Sequence, residues 1–115
     1  MRKVILLIAA LLPLLAACHK PYETSIDLGV NNERIDLPSF EEGHCFITVF
    51  SNGSWNIEIA PAVDWARLDR ASGEGIGYVR FDYDENLSGD ERSATVLVTG
   101  QGKSCEITVN QPKEE

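Results

Sequence analysis

Trp55, Trp65, Tyr78 and Arg80 are the side chains of this sequence best equipped to hold a ligand. An aromatic ring stacks on the C–H face of a sugar, and a guanidinium offers a planar fork of hydrogen-bond donors. Their phases separate them. Trp55 alternates with Ile57 and Ile59 while Asn56 and Glu58 take the other side, so the indole belongs in the core of a half-buried strand. Trp65 precedes Leu68 and is placed as a plug at one end of the core. Tyr78 is out of phase with Val79, Phe81 and Tyr83, so it faces solvent together with Arg80. Those two are the candidate ligand-binding residues; the plainer reading of them is an exposed cross-strand pair. No trio of exposed aromatics stands out.

Asp82, Asp84 and Asn86 have the spacing that opens a calcium loop, but an EF-hand needs Gly at the sixth position and Glu at the twelfth, where this chain has Leu87 and Ser93. A polar turn in which Asn86 or Asp90 bonds the backbone is the expectation, and neither a metal nor a cofactor is predicted. The histidines, His19 and His44, fall in a tether and a turn, and no nucleophile elbow or H-E-x-x-H motif occurs. Asp84 and Glu85 sit in an acidic loop with nothing apolar nearby to raise a pKa. No enzyme activity is expected.

Three cysteines remain. Cys18 ends an apolar run from Val4 to Ala17 that follows Arg2 and Lys3. This run is too short for a bilayer core that needs about 20 residues and is interrupted by Pro13, so it reads as a secretory signal. Leu15-Ala16-Ala17-Cys18 resembles the lipobox of bacterial lipoproteins, which implies cleavage before Cys18 and lipidation of its thiol. Acyl chains at about 0.8 kcal/mol per buried methylene would then anchor the chain to a membrane of the bacterial cell envelope, with the outer membrane as the expected one. Cys45 and Cys105 share the inward parity of their strands. Two readings stand: a disulfide, which an oxidising compartment permits and which would stabilise the fold by about 4 kcal/mol in the chain-entropy picture, or two packed free thiols.

The 115 residues carry a formal charge of −8; without the signal, eight basic residues face eighteen acidic ones, a charge of −10. Nucleic acid, which needs a basic face, is excluded as a partner. The expected organisation is a signal over 1–17, a tether over 18–32 with room for an edge strand at Ile26, Leu28 and Val30, one domain over 33–112, and a tail over 113–115.

Within the domain, period-two patterns recur and no helical period appears. Cys45, Ile47 and Val49 share one face, opposite Phe46, Thr48 and Phe50. Val79, Phe81 and Tyr83 form another inward set, followed by the strand around Thr95 to Thr99 and by Cys105, Ile107 and Val109. The predicted core is Trp55, Trp65, Ile47, Val49, Ile57, Phe81, Ile107 and Val109. Ser72-Gly73-Glu74-Gly75 reads as a flexible turn. Six or seven short strands with turn signals between them predict an antiparallel β-sandwich.

Ser51-Asn52-Gly53-Ser54-Trp55, Asp64-Trp65, Ser72-Gly73-x-Gly75, Asn86, Arg92-Ser93-Ala94 and Ile107-Thr108-Val109-Asn110-Gln111 together resemble the BACON domain, a family named as Bacteroidetes-associated, carbohydrate-binding and often N-terminal. The resemblance covers about residues 33 to 111. It implies an immunoglobulin-like antiparallel β-sandwich of about seven strands and an association with polysaccharide. The expected function is a lipid-anchored, non-catalytic binding or adaptor module linked to polysaccharide capture. The alternative is a structural or protein-interaction lipoprotein that docks on an envelope complex without touching glycan. A membrane reached through Cys18, a polysaccharide and an envelope protein are thus the partners weighed.

Overall fold

A computed structural model describes residues 25–114, and the signal, the lipobox and Cys18 lie outside them. Nine strands follow one another with no helix among the described residues: β1 Leu28–Val30, β2 Arg34–Asp36, β3 Gly43–Ser51, β4 Ser54–Ile59, β5 Ala66–Leu68, β6 Ser72–Glu74, β7 Gly77–Tyr83, β8 Arg92–Gly100 and β9 Lys103–Gln111. They form two sheets, ordered β1-β3-β7-β5 and β2-β9-β8-β4-β6. All pairs are antiparallel except β2 with β9, which run parallel.

The core is what the alternation demanded. Ile47, Val49, Val79 and Phe81 from one sheet meet Val96, Val98, Ile107 and Val109 from the other, all completely buried. Each such side chain contributes about 1.5–3 kcal/mol relative to remaining in water. Trp55 and Ile57 lie within this layer, and Trp65 is 8% exposed at its end. The Trp65 ring meets Phe81 edge-on at 6.4 Å, and the Arg92 guanidinium covers its other side at 4.4 Å. Withdrawal from water lowers the Arg92 pKa, although Asp64 and Asp84 pull it back up.

Two expectations need correction. There are nine strands where about seven were expected, and the Ser72–Gly75 stretch is not a flexible turn: Ser72–Glu74 is an edge strand paired with β4. Propensity gives no hint of it, since Ser and Gly are weak strand formers; the indole of Trp55 supplies the reason. Gly73 and Gly77 lie so close to Trp55 Cζ2 that a Cβ on either would collide with the ring. The indole N–H also donates to Gly75 O at 2.9 Å, tying this edge down. The edge strand allowed for at Leu28 and Val30 is present as β1 and pairs with β3, so it is the domain boundary at 33 that moves: the folded body begins earlier.

Of the two readings for Cys45 and Cys105, the structure has the second, free thiols. Their inward parity holds, but β3 and β9 belong to different sheets; the strand beside β9 at the start of the domain is β2. Cys105 lies by Leu28, with Sγ 3.9 Å from Leu28 O, and Leu28 faces Ser51. Cys45 is six residues back along β3, a separation of roughly 20 Å at about 3.3 Å per residue, against the roughly 7 Å limit for a bridge. Burial, helped by Asp82, pushes the Cys45 thiol above its usual range.

Candidate binding face

Each sheet presents an outer face, and the two differ in chemistry. On the five-stranded sheet the outward residues of β8 and β9 include Ser93, Thr95, Leu97, Thr99, Ser104, Glu106 and Thr108, a hydroxyl-rich surface without an aromatic ring. The four-stranded sheet is different. β3 alternates Cys45, Ile47 and Val49 inward with His44, Phe46, Thr48 and Phe50 outward. β7 alternates Val79, Phe81 and Tyr83 inward with Tyr78, Arg80 and Asp82 outward.

Strand register joins these two outward rows. Phe46 is paired with Arg80, Thr48 with Tyr78 and His44 with Asp82. Phe46 and Tyr78 are therefore diagonal neighbours, about 7–8 Å apart along the backbone lattice. Phe46 is 57% exposed and Tyr78 66%, so two large rings stand open on the same face. His44 meets Phe46 edge-on at 5.6 Å, an arrangement that holds the phenyl ring in place. Phe50, half-buried, continues the row. The absence of an aromatic cluster expected from the sequence is thus corrected: His44, Phe46 and Tyr78 share one face.

The polar groups around the rings are fixed. Arg80 Nε donates to Asp82 Oδ2 at 3.1 Å, and its backbone N–H donates to Asp69 Oδ1 at 2.8 Å. Arg67 Nη2 reaches Asp84 Oδ1 at 3.0 Å, extending a row of alternating charges to the β5 edge. On the other side, Thr48 N–H donates to Asn31 Oδ1 and Asn31 N–H to Thr48 O, which locks the backbone beside Tyr78. Exposed ion pairs of this kind contribute little stability, but they set where guanidinium and carboxylate groups point. Tyr78 and Arg80 are both on this face; the sequence did not identify Phe46 and His44 as their companions.

The acidic stretch that resembled a calcium loop is engaged otherwise. Asp82 and Asp84 hold the two arginines, while Asn86 is fully buried. Its amide donates to Asp90 O at 2.8 Å and Pro112 O at 3.0 Å, and its carbonyl accepts from Ser88 N–H and hydroxyl. Fully buried Gln111 donates to Phe40 O and Asp84 O, and accepts from Arg92 Nε. These two amides stitch the loops of one pole together, and among the described residues no cluster of three or more potential metal ligands occurs.

A cleft of about 450 Å³ opens between β4 and β5 and is lined by Ile57, Ile59, Val63, Ala66 and Leu68 with Asp69 and Arg70 at its rim. Asp69 is committed to Arg80 N–H, and Arg70 donates to Ser72 O while lying over Trp55 at 5.3 Å. The cleft is apolar with few polar groups to spare, a poor match for a hydroxyl-rich ligand.

A two-sheet sandwich with its indoles sealed inside and an aromatic outer face defines a binding domain of the β-sandwich class. Residues 54–112 match the BACON family, described as "Putative binding domain, N-terminal", and the chain belongs to that family. Among solved structures, a Bacteroides ovatus GH5 xyloglucanase in complex with a XXXG heptasaccharide is similar with a TM-score of 0.69 and 24% identity, over 76% of this chain. This chain corresponds to 19% of that enzyme's length. A Bacteroides thetaiotaomicron protein solved by NMR is similar with a TM-score of 0.53 and 12% identity, covering 84% of this chain and 95% of that one. At these identities both likenesses speak to the fold. No curated protein matches the sequence.

Proposed function

We propose that the chain is a non-catalytic, membrane-tethered module that holds polysaccharide outside the cytoplasm on the outer face of its four-stranded sheet. The observation that carries this is the exposure of Phe46 and Tyr78 as neighbours, since large exposed rings on a rigid sheet are costly to leave in water and are suited to stacking on sugar C–H faces. The family is described as a binding domain, and a similar sandwich occurs within a xyloglucanase solved with a heptasaccharide. The tether rests on the lipobox-like sequence ending at Cys18. Affinity electrophoresis of the purified full chain through gels containing neutral plant and yeast polysaccharides tests the binding; retardation in at least one gel is expected, and free migration in all of them would refute it. Radiolabelled palmitate should enter the wild-type chain and not Cys18→Ser.

A second reading, docking of an envelope protein, is favoured by one observation. β5 is the edge of its sheet beside the apolar cleft, and the amides of Ala66 and Leu68 point away from β7 by the antiparallel alternation. Co-purification of one envelope protein from cross-linked cells, with no glycan bound, would select it.

A further inference from the structure

The aromatic face also carries information about which kind of glycan it takes, an inference that rests on the polysaccharide-binding reading above. The outward row of β3 runs from His44 to Phe50, roughly 20 Å at about 3.3 Å per residue. A ligand confined to a chain end needs a pocket that closes around its terminal sugar. Here the rings lie on a sheet surface with Thr48 between Phe46 and Phe50, so a chain can continue past both ends of the row. Charge adds a second constraint. The cations of this face are already matched, Arg80 by Asp82 and Arg67 by Asp84, and the whole chain carries a formal −8. A uronate or sulfate would have to break one of these pairs and approach against the net field. A neutral sugar hydroxyl instead accepts from the guanidinium or donates to the carboxylate while the pair stays intact.

We infer that the face binds an internal stretch of a neutral, linear polysaccharide laid along β3, with Phe46 and Tyr78 as stacking rings and the Arg80–Asp82 pair as the hydroxyl clamp. Calorimetry of the full chain tests this with linear manno-, xylo- and cello-oligosaccharides from disaccharide to hexasaccharide, and with polygalacturonate fragments of the same lengths. At least one neutral series should bind with affinity rising with length and unaffected by salt, and the polygalacturonate series should not bind. Phe46→Ala and Tyr78→Ala should each weaken binding about tenfold with unchanged melting, and Phe46→Trp should restore it. Preference for polygalacturonate that still depends on Tyr78, or affinity that is already complete at the disaccharide, would overturn this inference while leaving the module a glycan binder. Binding indifferent to both alanine variants would overturn the face itself. Silence toward every sugar would remove the polysaccharide reading and this one with it.

Discussion

At the scale of single residues, Trp55 does the most to make the sandwich a solid body. It is 1% exposed, its N–H is satisfied by Gly75 O, and its ring is packed against two glycines that leave space for it. Trp55→Ala removes that volume and frees the β6 edge, so it should lower stability by about 3–5 kcal/mol, read as a shift in the urea midpoint. Cys45 makes the opposite contribution at alkaline pH. Its thiol is held protonated by burial and by Asp82, and Tyr83 beside it is pushed up by burial and by Cys45. The unfolded chain loses these protons first, so stability should decline as pH rises above about 8.5, the ordinary thiol value, and Cys45→Ala should flatten that decline. Alkylating the unfolded, unreduced protein should place two labels on the domain, one on each of Cys45 and Cys105; an unlabelled pair would contradict their separation.

Among the elements, the long strands were legible, and of the short ones the edge strand at Leu28 and Val30 was allowed for while β6 was not. The alternations in β3, β4, β7, β8 and β9 are written in residues such as Ile47, Val49, Ile57, Val79 and Ile107, whose burial sets the phase. β6 is a strand because Trp55 and β4 require it, and Ser72-Gly73-Glu74 carries no period of its own. The same limit applies to the binding face. That Phe46, Tyr78 and Arg80 point outward follows from local phase, but that they meet follows from a register between β3 and β7, residues more than thirty positions apart. At one pole the sequence offers a turn in which Asn86 bonds the backbone, and it does, to Asp90 O and Pro112 O; what was not legible is that Gln111, an ordinary strand residue by its look, is buried where Phe40 and Asp84 converge on it. Asn86→Ala removes the donor to Pro112 O and the acceptor of Ser88 N–H and should cost about 1–3 kcal/mol, with amide exchange rising first at Ser88 and Asp90.

At the scale of the whole molecule, the chain enters and leaves at opposite poles. β1 starts beside Ser51, where Asp27 bonds Lys103 and Asn52, while β9 ends at Gln111 beside Phe40 and Asp84. β3, with its aromatic row, runs from the far pole at Gly43 to Ser51 at the Asp27 pole. Acid should loosen both poles, the entry pole at Asp27 and the far one at Asp36, which pairs with Asn110 beside Gln111. Asp27 is held below the usual carboxylate range by hydrogen bonds from Lys103 and Asn52, and Asp36 by Asn110, with Arg34 adding to it. Carboxylates with depressed pKa values stabilise the fold above their unfolded-state value and lose that contribution as pH falls through the folded one. The melting temperature should thus fall below about pH 4, and Lys103→Ala should reduce the fall.

The proposed recognition uses the outer skin of the four-stranded sheet while both indoles stay sealed. Two-dimensional NMR of the labelled full chain, titrated with linear neutral hexasaccharides, tests it. Shifts are expected on His44, Phe46, Thr48, Tyr78 and Arg80, with the Trp55 indole N–H resonance unmoved. Shifts gathered instead on Thr95, Thr99 and Thr108, or a displaced Trp55 indole signal, would contradict it.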